Sequence, residues 1–276
     1  MLPGNGKTSA RPAAVAGLFY PASATELRNV VTRYLDAVSV VDLPASPKAL
    51  IVPHAGYIYS GSVAAAAYAS VRALRGKIRR IVLLGPSHRV YLQGIAVAQW
   101  REFDTPLGSI RVDEESKALL LEQAKVIVSD AAHAMEHSLE VQLPFLQMMF
   151  EDFTLLPLVA GDASPQHVAS VLASVWGGAD TLVLISSDLS HYHNYRIAQQ
   201  LDRATSEDIL RCSTQLSGEQ ACGATCINGL THLAQERKMQ LREIARLNSG
   251  DTAGDRERVV GYGAFAVHEP ESLAAA

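Results

Sequence analysis

The chain has 276 residues, of which 48% are hydrophobic and 19% charged, a composition that suits one large globular core without disulfides. Its net charge of −4 gives no indication of the basic surface that nucleic-acid binding needs, and no apolar run approaches the roughly 18–20 residues that span a bilayer. The three cysteines are too few for a disulfide framework and indicate a reducing compartment. We therefore expect a cytoplasmic protein that binds neither nucleic acid nor membranes.

The N-terminal half predicts helices and buried strands in alternation. Residues 1–10 predict a disordered tail, and no linker or change of composition divides residues 11–270, so we expect a single domain there. Residues 24–38 have helical periodicity, with Ser23 as the N-cap. The other predicted elements are strands at 49–52, 80–84, 94–100, 109–112 and 126–128, helices at 62–74 and 113–123, and a turn at 103–108.

The C-terminal half continues the alternation. A helix is predicted at 136–150, and Pro144 inside it should kink it. Because the strands are mostly continuous apolar runs between helices, the pattern predicts an α/β fold with a mostly parallel sheet covered on both faces, a three-layer αβα domain. The remaining predicted elements are strands at 154–159, 181–186, 239–247 and 258–267, and helices at 165–175, 195–212 and within 218–235.

Two histidines follow predicted strands at equivalent positions. The run Ala49-Leu-Ile-Val is buried in character, and Pro53 cannot donate to a sheet ladder, so the strand should end just before His54. The second run, 80–84, is followed by Gly-Pro-Ser and then by His88. Ligands bind at the carboxyl ends of parallel strands, and imidazole is the commonest side-chain ligand of transition metals. The sequence therefore predicts a site at this rim of the sheet.

A third group follows the strand at 181–186 and should reach the same rim. Asp188 lies three residues before His191 and could orient its imidazole, which can serve as a general base. His137 and Glu140 share one face of the predicted helix, where a structural pair is as reasonable as a functional one, and His133 is equally ambiguous. The other histidines are interpreted as surface or core residues: His167, His193, His232 and His268.

Cys222 and Cys226 lie four residues apart, which places them on one side of a helix. This spacing alone favours a pair of small buried side chains over thiolate ligation or redox chemistry. The sequence has no CxxC pair and no HExxH motif, so a structural zinc site is not indicated, and it has no G-x-S-x-G elbow of a serine hydrolase.

Several ordered blocks, which run from about residue 11 to 268, make the chain resemble the Memo family, whose bacterial and archaeal members are called AmmeMemoRadiSam system protein B. The blocks are Ala16-Gly-Leu-Phe-Tyr-Pro21, Pro53-His-Ala-Gly-Tyr57 with Ser60-Gly61, Gly85-Pro-Ser-His88, Glu136-His-Ser-Leu-Glu140 with Leu143-Pro144, Ser186-Ser-Asp188 with His191, Cys222-Gly223, and Asn248-Ser-Gly-Asp-Thr-Ala-Gly-Asp255 with Val259-Val-Gly-Tyr262.

The resemblance implies a fold like that of the class III extradiol dioxygenases of the LigB type, which hold non-haem Fe(II) with two His and one Glu. By motif, His54 and His88 match the two His ligands, and Cys222 takes the third position, which reverses the interpretation from spacing. His191 matches the acid/base histidine, with Asp188 beside it in the pocket.

The same resemblance places the Glu136-His137 block near the pocket, and we expect His137 among the catalytic residues and Tyr57 and Glu136 among the binding residues. A thiolate ligand is soft, so iron(II) or copper is expected as the cofactor, with zinc less favoured. The family setting implies a functional link to a radical S-adenosylmethionine protein.

Two classes of function remain open. The first is a metal-dependent oxidoreductase of the dioxygenase-like kind, acting on a small molecule or peptide, with His191 moving a proton. The second is a ligand- or peptide-binding module that retains the pocket without turnover. A metal-independent hydrolase that uses His191 and Asp188 is a weaker third reading, because no activated nucleophile is evident apart from Cys222.

Overall fold

The computed structural model describes residues 9–39 and 45–270. Of the predicted N-terminal tail, residues 1–8 lie outside the described part, and Ala10 already belongs to a strand. The strands are β1 Ala10–Arg11, β2 Ala49–Val52, β3 Arg80–Pro86, β4 Ile95–Val97, β5 Glu102–Thr105, β6 Gly108–Arg111, β7 Val126–Val128, β8 Thr154–Ala160, β9 Thr181–Ser186, β10 His191–His193, β11 Gln240–Asn248 and β12 Val259–His268. The helices are α1 Ala24–Ala37, α2 Tyr57–Ser70, α3 Glu114–Leu121, α4 Asp130–Ala134, α5 His137–Glu140, α6 Leu143–Met149, α7 Pro165–Ser174, α8 Tyr195–Leu210 and α9 Ala224–Arg237.

The larger sheet has the strand order β10-β12-β2-β9-β3-β8-β4-β7, and β11 pairs with β12. Its central strands β2, β9, β3 and β8 are parallel, whereas the pairs β12–β2, β10–β12, β11–β12 and β8–β4 are antiparallel. The parallel centre agrees with the prediction, and the flanks make the whole sheet mixed. Strand β9 lies between β2 and β3, so three parallel strands end side by side at one rim.

Side chains along the central strands alternate between two hydrophobic clusters, one on each face of the sheet. Leu50 and Leu184 pack into the cluster that includes α1, α2 and α6, whereas Ile51 and Ile185 pack into the cluster that includes α7 and α9. This alternation follows the two-residue period of a strand, and the predicted three-layer αβα architecture is confirmed. Within the described residues, no helix combines the length and apolar character required to cross a membrane.

The predicted helix at 136–150 is wrong as a single element. The structure has α5 and α6 there, and Pro144 stands in the first turn of α6, where its missing N–H costs nothing, rather than inside a kinked helix. Glu136 is the N-cap of α5 and accepts a hydrogen bond from the Ser138 amide. As a consequence, Glu136 and His137 lie at the start of a short helix and not along the face of a long one.

The predicted turn at 103–108 is too long, because the turn itself covers only residues 106–107. Strands β5 and β6 pair antiparallel across a short turn and form a three-stranded sheet with β1. Phe103 and Thr105 are buried while their neighbours in β5 are partly exposed, which is the alternation of a half-buried strand. The pattern was masked in the sequence because Asp104, Pro106 and Gly108 are typical turn residues.

A buried ion pair joins the N-terminal segment to helices α4 and α5. Arg11, which is 1% exposed, lies 2.6 Å from Glu140 Oε2, and its other nitrogens donate to the carbonyl oxygens of His133 and Glu136 at 2.7 and 2.9 Å. Glu140 also accepts from the Tyr20 hydroxyl at 2.6 Å and from the backbone amides of residues 14 and 15. This network fixes the segment that carries Glu136 and His137.

His133 makes the stability of the fold depend on pH. Its Nε2 donates to the Ala96 carbonyl at 3.0 Å, and its buried Nδ1 has no hydrogen-bond partner within the described part of the chain. Burial lowers the pKa of His133 to about 4. In the unfolded chain the imidazole has its ordinary pKa of about 6.5. Between about pH 6.5 and pH 4 the unfolded chain therefore binds a proton at His133 that the folded protein does not bind.

We accordingly expect the free energy of unfolding to fall as the pH drops from about 6.5 to about 4. His133 should contribute about 2–4 kcal/mol to this fall between neutral pH and about pH 4. Urea unfolding across this range measures the slope in the wild type and in His133→Leu. The variant should lose roughly one proton from the slope, whereas parallel curves for the two proteins would show that His133 is not the group responsible.

Candidate metal centre

The ends of three adjacent parallel strands bring the candidate ligands together. His54 follows β2, His88 follows β3, and Asp188 follows β9, which lies between these two strands. Cys222 lies just before α9 and reaches the same rim. One ligand atom from each of His54, His88 and Cys222 lies within 4.8 Å of the other two, a spacing compatible with a single ion.

A hydrogen-bond chain behind the strand ends orients His54. Its Nδ1 lies 2.9 Å from Ser186 Oγ, and that hydroxyl donates its only hydrogen to the Ser138 carbonyl at 2.6 Å. Gln142 Nε2 also donates to the same hydroxyl oxygen at 2.8 Å. Ser186 therefore acts as an acceptor toward His54, so we infer that Nδ1 carries the imidazole hydrogen. This leaves Nε2 with a free lone pair that faces the Cys222 thiol, the arrangement suited to metal ligation.

Glu136 orients His88 in the same way. One carboxylate oxygen lies 2.8 Å from His88 Nδ1 and accepts from the Ser138 amide, and the other accepts from the His88 amide at 2.7 Å. Burial alone would raise the pKa of Glu136, but the hydrogen bonds from His88 and Ser138 outweigh it and hold the pKa at about 2. The carboxylate keeps the hydrogen on Nδ1, so Nε2 of His88 is free for a ligand.

Replacing Glu136 by glutamine tests this orientation. The amide has one acceptor oxygen where the carboxylate has two, so the N–H groups of His88 and Ser138 cannot all be satisfied. We expect the affinity for a metal ion to fall about 10–100-fold. Isothermal titration of apo-protein with metal measures this, with Glu114→Gln at an exposed ion pair to Lys117 as the control. Equal affinities in both variants would exclude the proposed orientation.

The backbone of the next residue fixes the third candidate ligand. Gly223 approaches the end of β9 so closely that a Cβ on it would lie 2.7 Å from Ser187 Cβ, and its amide donates to Ser187 Oγ at 2.9 Å. Cys222 Sγ lies 3.3 Å from His54 Nε2 and accepts from the Asp188 amide at 3.3 Å. Burial and the neighbouring Asp188 raise the pKa of the Cys222 thiol to about 12. A metal ion would have to displace this proton.

A second group of potential ligand atoms overlaps the first. His88, Glu136 and His137 also have ligand atoms within 4.8 Å of one another. The oxygens of Glu136 are already occupied by N–H groups of His88 and Ser138, however, and His137 Nδ1 lies 3.3 Å from Glu136 Oε1 without hydrogen-bond geometry. The set of His54, His88 and Cys222 therefore offers the better site.

The cluster opens into a cleft of about 610 Å³, whose wall includes three further predicted residues, His137, Asp188 and His191. Asp188 Oδ1 accepts from the His54 amide at 2.7 Å, and burial raises the pKa of this carboxyl to about 7. Burial lowers the pKa of His137 to about 4 and that of His191 below its ordinary value. The cleft thus combines a carboxyl with a raised pKa, that of Asp188, with two imidazoles whose pKa values are lowered, those of His137 and His191.

Two expected binding residues have other places in the structure. Tyr57 is buried, and its hydroxyl donates to the Val141 carbonyl at 2.8 Å instead of reaching the cleft. Helix α2 begins at Tyr57 and not at residue 62 as predicted. Tyr57 therefore lies in the first helical turn, and its ring packs into the hydrophobic core. Glu136 is turned toward His88 and does not line the cleft. In this structure both side chains support their surroundings and do not line the cleft, and their expected role in binding stays a prediction.

Sequence reasoning missed several residues of the site. His193 and Tyr192 line the cleft, although His193 was assigned to the surface or core. Their neighbourhood is the short strand β10, and the two-residue spacing of His191 and His193 was the available signal. Ser186 and Gln142 orient His54 through contacts between distant parts of the chain, and neither carries a local signature in the sequence.

The fold and site together define a three-layer α/β protein with a candidate His/His/Cys centre at the carboxyl edge of its sheet. The chain belongs to the Memo family, because the family described as Memo-like protein matches residues 11–266. A "MEMO1 family protein" of Ignicoccus hospitalis is 37% identical, with 92% of this chain and 97% of the relative covered. Relatives of the same description from Saccharolobus solfataricus and Thermotoga neapolitana are 35% and 34% identical, with 90% and 91% of this chain and 96% and 97% of the relatives covered.

A solved structure has the same fold at much lower similarity. An uncharacterized protein from Escherichia coli K12 superposes with a TM-score of 0.51 at 13% identity, covering 79% of this chain and 98% of that one. At this identity the likeness shows the fold alone. The relation to extradiol dioxygenases therefore stays a prediction.

Proposed function

We propose that this protein is a metal-dependent oxidoreductase that acts in the cleft beside His54, His88 and Cys222. The observation that carries the proposal is the convergence of their ligand atoms within 4.8 Å, with the Nδ1 atoms of both histidines already engaged by Ser186 and Glu136. Histidines whose Nδ1 is engaged in this way, with Nε2 left free, are typical of metal sites, whereas a histidine with only a structural role in a turn does not need this arrangement.

The donor set decides which ion fits. Two imidazoles and one thiolate are borderline to soft ligands, which favour iron(II) or copper over magnesium, while zinc is the less favoured alternative. His88 is the ligand most open to the cleft, since 28% of its side chain is exposed whereas His54 is buried. When bound, iron or copper would supply one-electron redox chemistry next to a substrate in the cleft.

The chain's own groups can move protons at this position. His191 is neutral at neutral pH because burial lowers its pKa, so its imidazole can accept a proton from a substrate hydroxyl. Asp188, with a pKa of about 7, can take up or release a proton under the same conditions. His137 packs edge-on against His54, with ring centroids 5.3 Å apart, and shapes the floor of the cleft.

The experiment is oxygen uptake by iron- or copper-loaded protein over a panel of small phenols, catechols and short peptides. We expect substrate-dependent uptake in the wild type, a loss of about 10²–10⁴-fold in kcat for His191→Ala, and retention of the metal by that variant. His232→Ala, which alters a histidine paired with Glu236 on α9, is the control.

Uptake that does not depend on His191 would contradict the role given to this residue. Saturable binding of a panel compound without any oxygen uptake, unchanged in His191→Ala, would instead favour the non-catalytic binding module. The cleft of about 610 Å³ is large enough for a drug-sized ligand under either function.

A further inference from the structure

Three consecutive side chains of β10 line the cleft, although successive residues of a regular strand point to opposite faces. The register between β10 and β12 shifts between His191 and His193, and Tyr192 between them has a φ of 62°. This left-handed conformation is uncommon for a residue other than glycine and persists only where the surroundings enforce it. A bulge of this kind re-aims side chains beside a site, and here it turns His191, Tyr192 and His193 to one side.

The backbone before the bulge is tied to β12. Leu189 donates to the Gly261 carbonyl and Gly261 donates to the Ser190 carbonyl, both at 2.8 Å. These two bonds lie between Asp188 and His191, the residues that face the cleft. The segment is thereby held against the sheet immediately before the chain enters the strained conformation at Tyr192.

A buried carboxylate makes a further contact with this segment. Asp202 on α8 is 2% exposed, and its Oδ1 accepts from the Ser190 amide at 3.0 Å. A Cβ on Gly261 would lie only 2.0 Å from Asp202 Oδ2, so the carboxylate occupies space that only a glycine at this position leaves free. Burying a carboxylate is costly, which makes Asp202 an improbable choice for packing alone.

We propose that Asp202 is a positioning residue that holds the β10 bulge, through Ser190 and Gly261, in the conformation that directs His191 and Tyr192 into the cleft. Only the catalytic meaning of this contact rests on the proposed function, because the geometry itself involves neither a metal ion nor a substrate. Asp202 touches none of the candidate ligands and is therefore distinct from the metal centre.

The test is NMR of the apo-protein, with the imidazole signals of His191 and the hydrogen exchange of the Ser190 amide as the readouts. In Asp202→Ala we expect shifted or broadened His191 signals and exchange at Ser190 faster by about tenfold or more, because the amide loses its acceptor. Asp202→Asn keeps an acceptor oxygen and should restore both. The signals of His268, at the opposite end of β12, and the variant Asp208→Ala, at a partly exposed ion pair to Arg211 near the end of α8, are the controls.

The affinity of Asp202→Ala for a metal ion should stay within about twofold of that of the wild type, because the substitution leaves the candidate ligands His54, His88 and Cys222 unchanged. This separates the two proposals: a wild type that binds no metal would defeat the proposed function and leave the NMR result standing. Unchanged His191 signals and Ser190 exchange in Asp202→Ala would overturn the positioning role. If that variant does not fold, Gly261→Ala decides, because its Cβ must displace the carboxylate, and unaltered His191 signals there would equally overturn the proposal.

Discussion

Replacing Arg11 by alanine should lower the free energy of unfolding by about 3–5 kcal/mol. The guanidinium is buried against Glu140 at 2.6 Å and donates to two carbonyl oxygens of the segment that carries His133 and Glu136. It also lies over the Phe103 ring, 5.4 Å from the centroid. Its removal leaves a buried carboxylate without a countercharge and takes one hydrogen bond from each of the His133 and Glu136 carbonyls.

Glu140→Gln should be destabilising for the complementary reason, because it leaves the buried guanidinium of Arg11 without a countercharge. Urea unfolding measures both variants, and Arg111→Ala is the matched control, since its bridge to Asp152 is exposed and should contribute less than about 1 kcal/mol. A loss in Arg11→Ala as small as that of the control would show that the buried network does not hold the N-terminal segment in place.

Replacing His54 by alanine should reduce the affinity for iron(II) or copper(I) by about 10³-fold or more, because one of three prepared ligand atoms is lost from a site that has no spare donor of the same geometry. Apart from His88, which is itself a candidate ligand with its ring centroid 5.2 Å away, the imidazole of His137 lies close by, with its ring centroid 5.3 Å from that of His54. The variant should remain folded, because His54 borders the open cleft on the side that faces Cys222. The substitution does remove one hydrogen-bond partner of the Ser186 hydroxyl.

Anaerobic competition with a chromophoric chelator measures that affinity, and His232→Ala controls for the loss of a histidine outside the cluster. Both variants should have the far-ultraviolet circular dichroism of the wild type. A His54→Ala protein that binds the ion as tightly as the control would place the metal elsewhere, with the His88, Glu136 and His137 group as the next position to examine.

The residues at the rim of the sheet could be predicted because each of them directly follows a strand that is recognisable from its own short stretch of sequence. Each of the strands β2, β3 and β9 is a continuous apolar run, and Pro53 and Pro86 stop two of them just before a histidine. The insertion of β9 between β2 and β3 is not local, because it depends on how the whole sheet assembles. That order is what brings Asp188 between the two histidines.

Cys222 shows why spacing misled. The interval of four residues to Cys226 assumed that both lie in one helix, but α9 begins at Ala224, with Gly223 as its N-cap. Cys226 is therefore in the helix and buried in the core, as the spacing implied, whereas Cys222 precedes the helix and turns to the cleft. Only the resemblance to the Memo family distinguished the two.

The residues that orient the histidines, Glu136 and Ser186, could not be assigned these roles from the sequence for a related reason. Glu136 was expected to bind a ligand, yet it bonds with His88 because α5 begins at His137 and the N-cap position turns the carboxylate toward the end of β3. Ser186 belongs to one of the blocks shared with the Memo family, but the block assigns it no role, and its role depends on which carbonyl takes its hydroxyl hydrogen. Such contacts join segments tens of residues apart and appear only once the fold is known.

The most direct measurement is the metal content of the protein purified without oxygen, determined by elemental analysis for the wild type and for Cys222→Ser. We predict about one equivalent of iron or copper in the wild type and a marked loss in the variant, because a hydroxyl is a poor substitute for a thiolate toward these ions. An apo wild type that also fails to take up either ion on anaerobic reconstitution would contradict the assignment of His54, His88 and Cys222 as a metal centre.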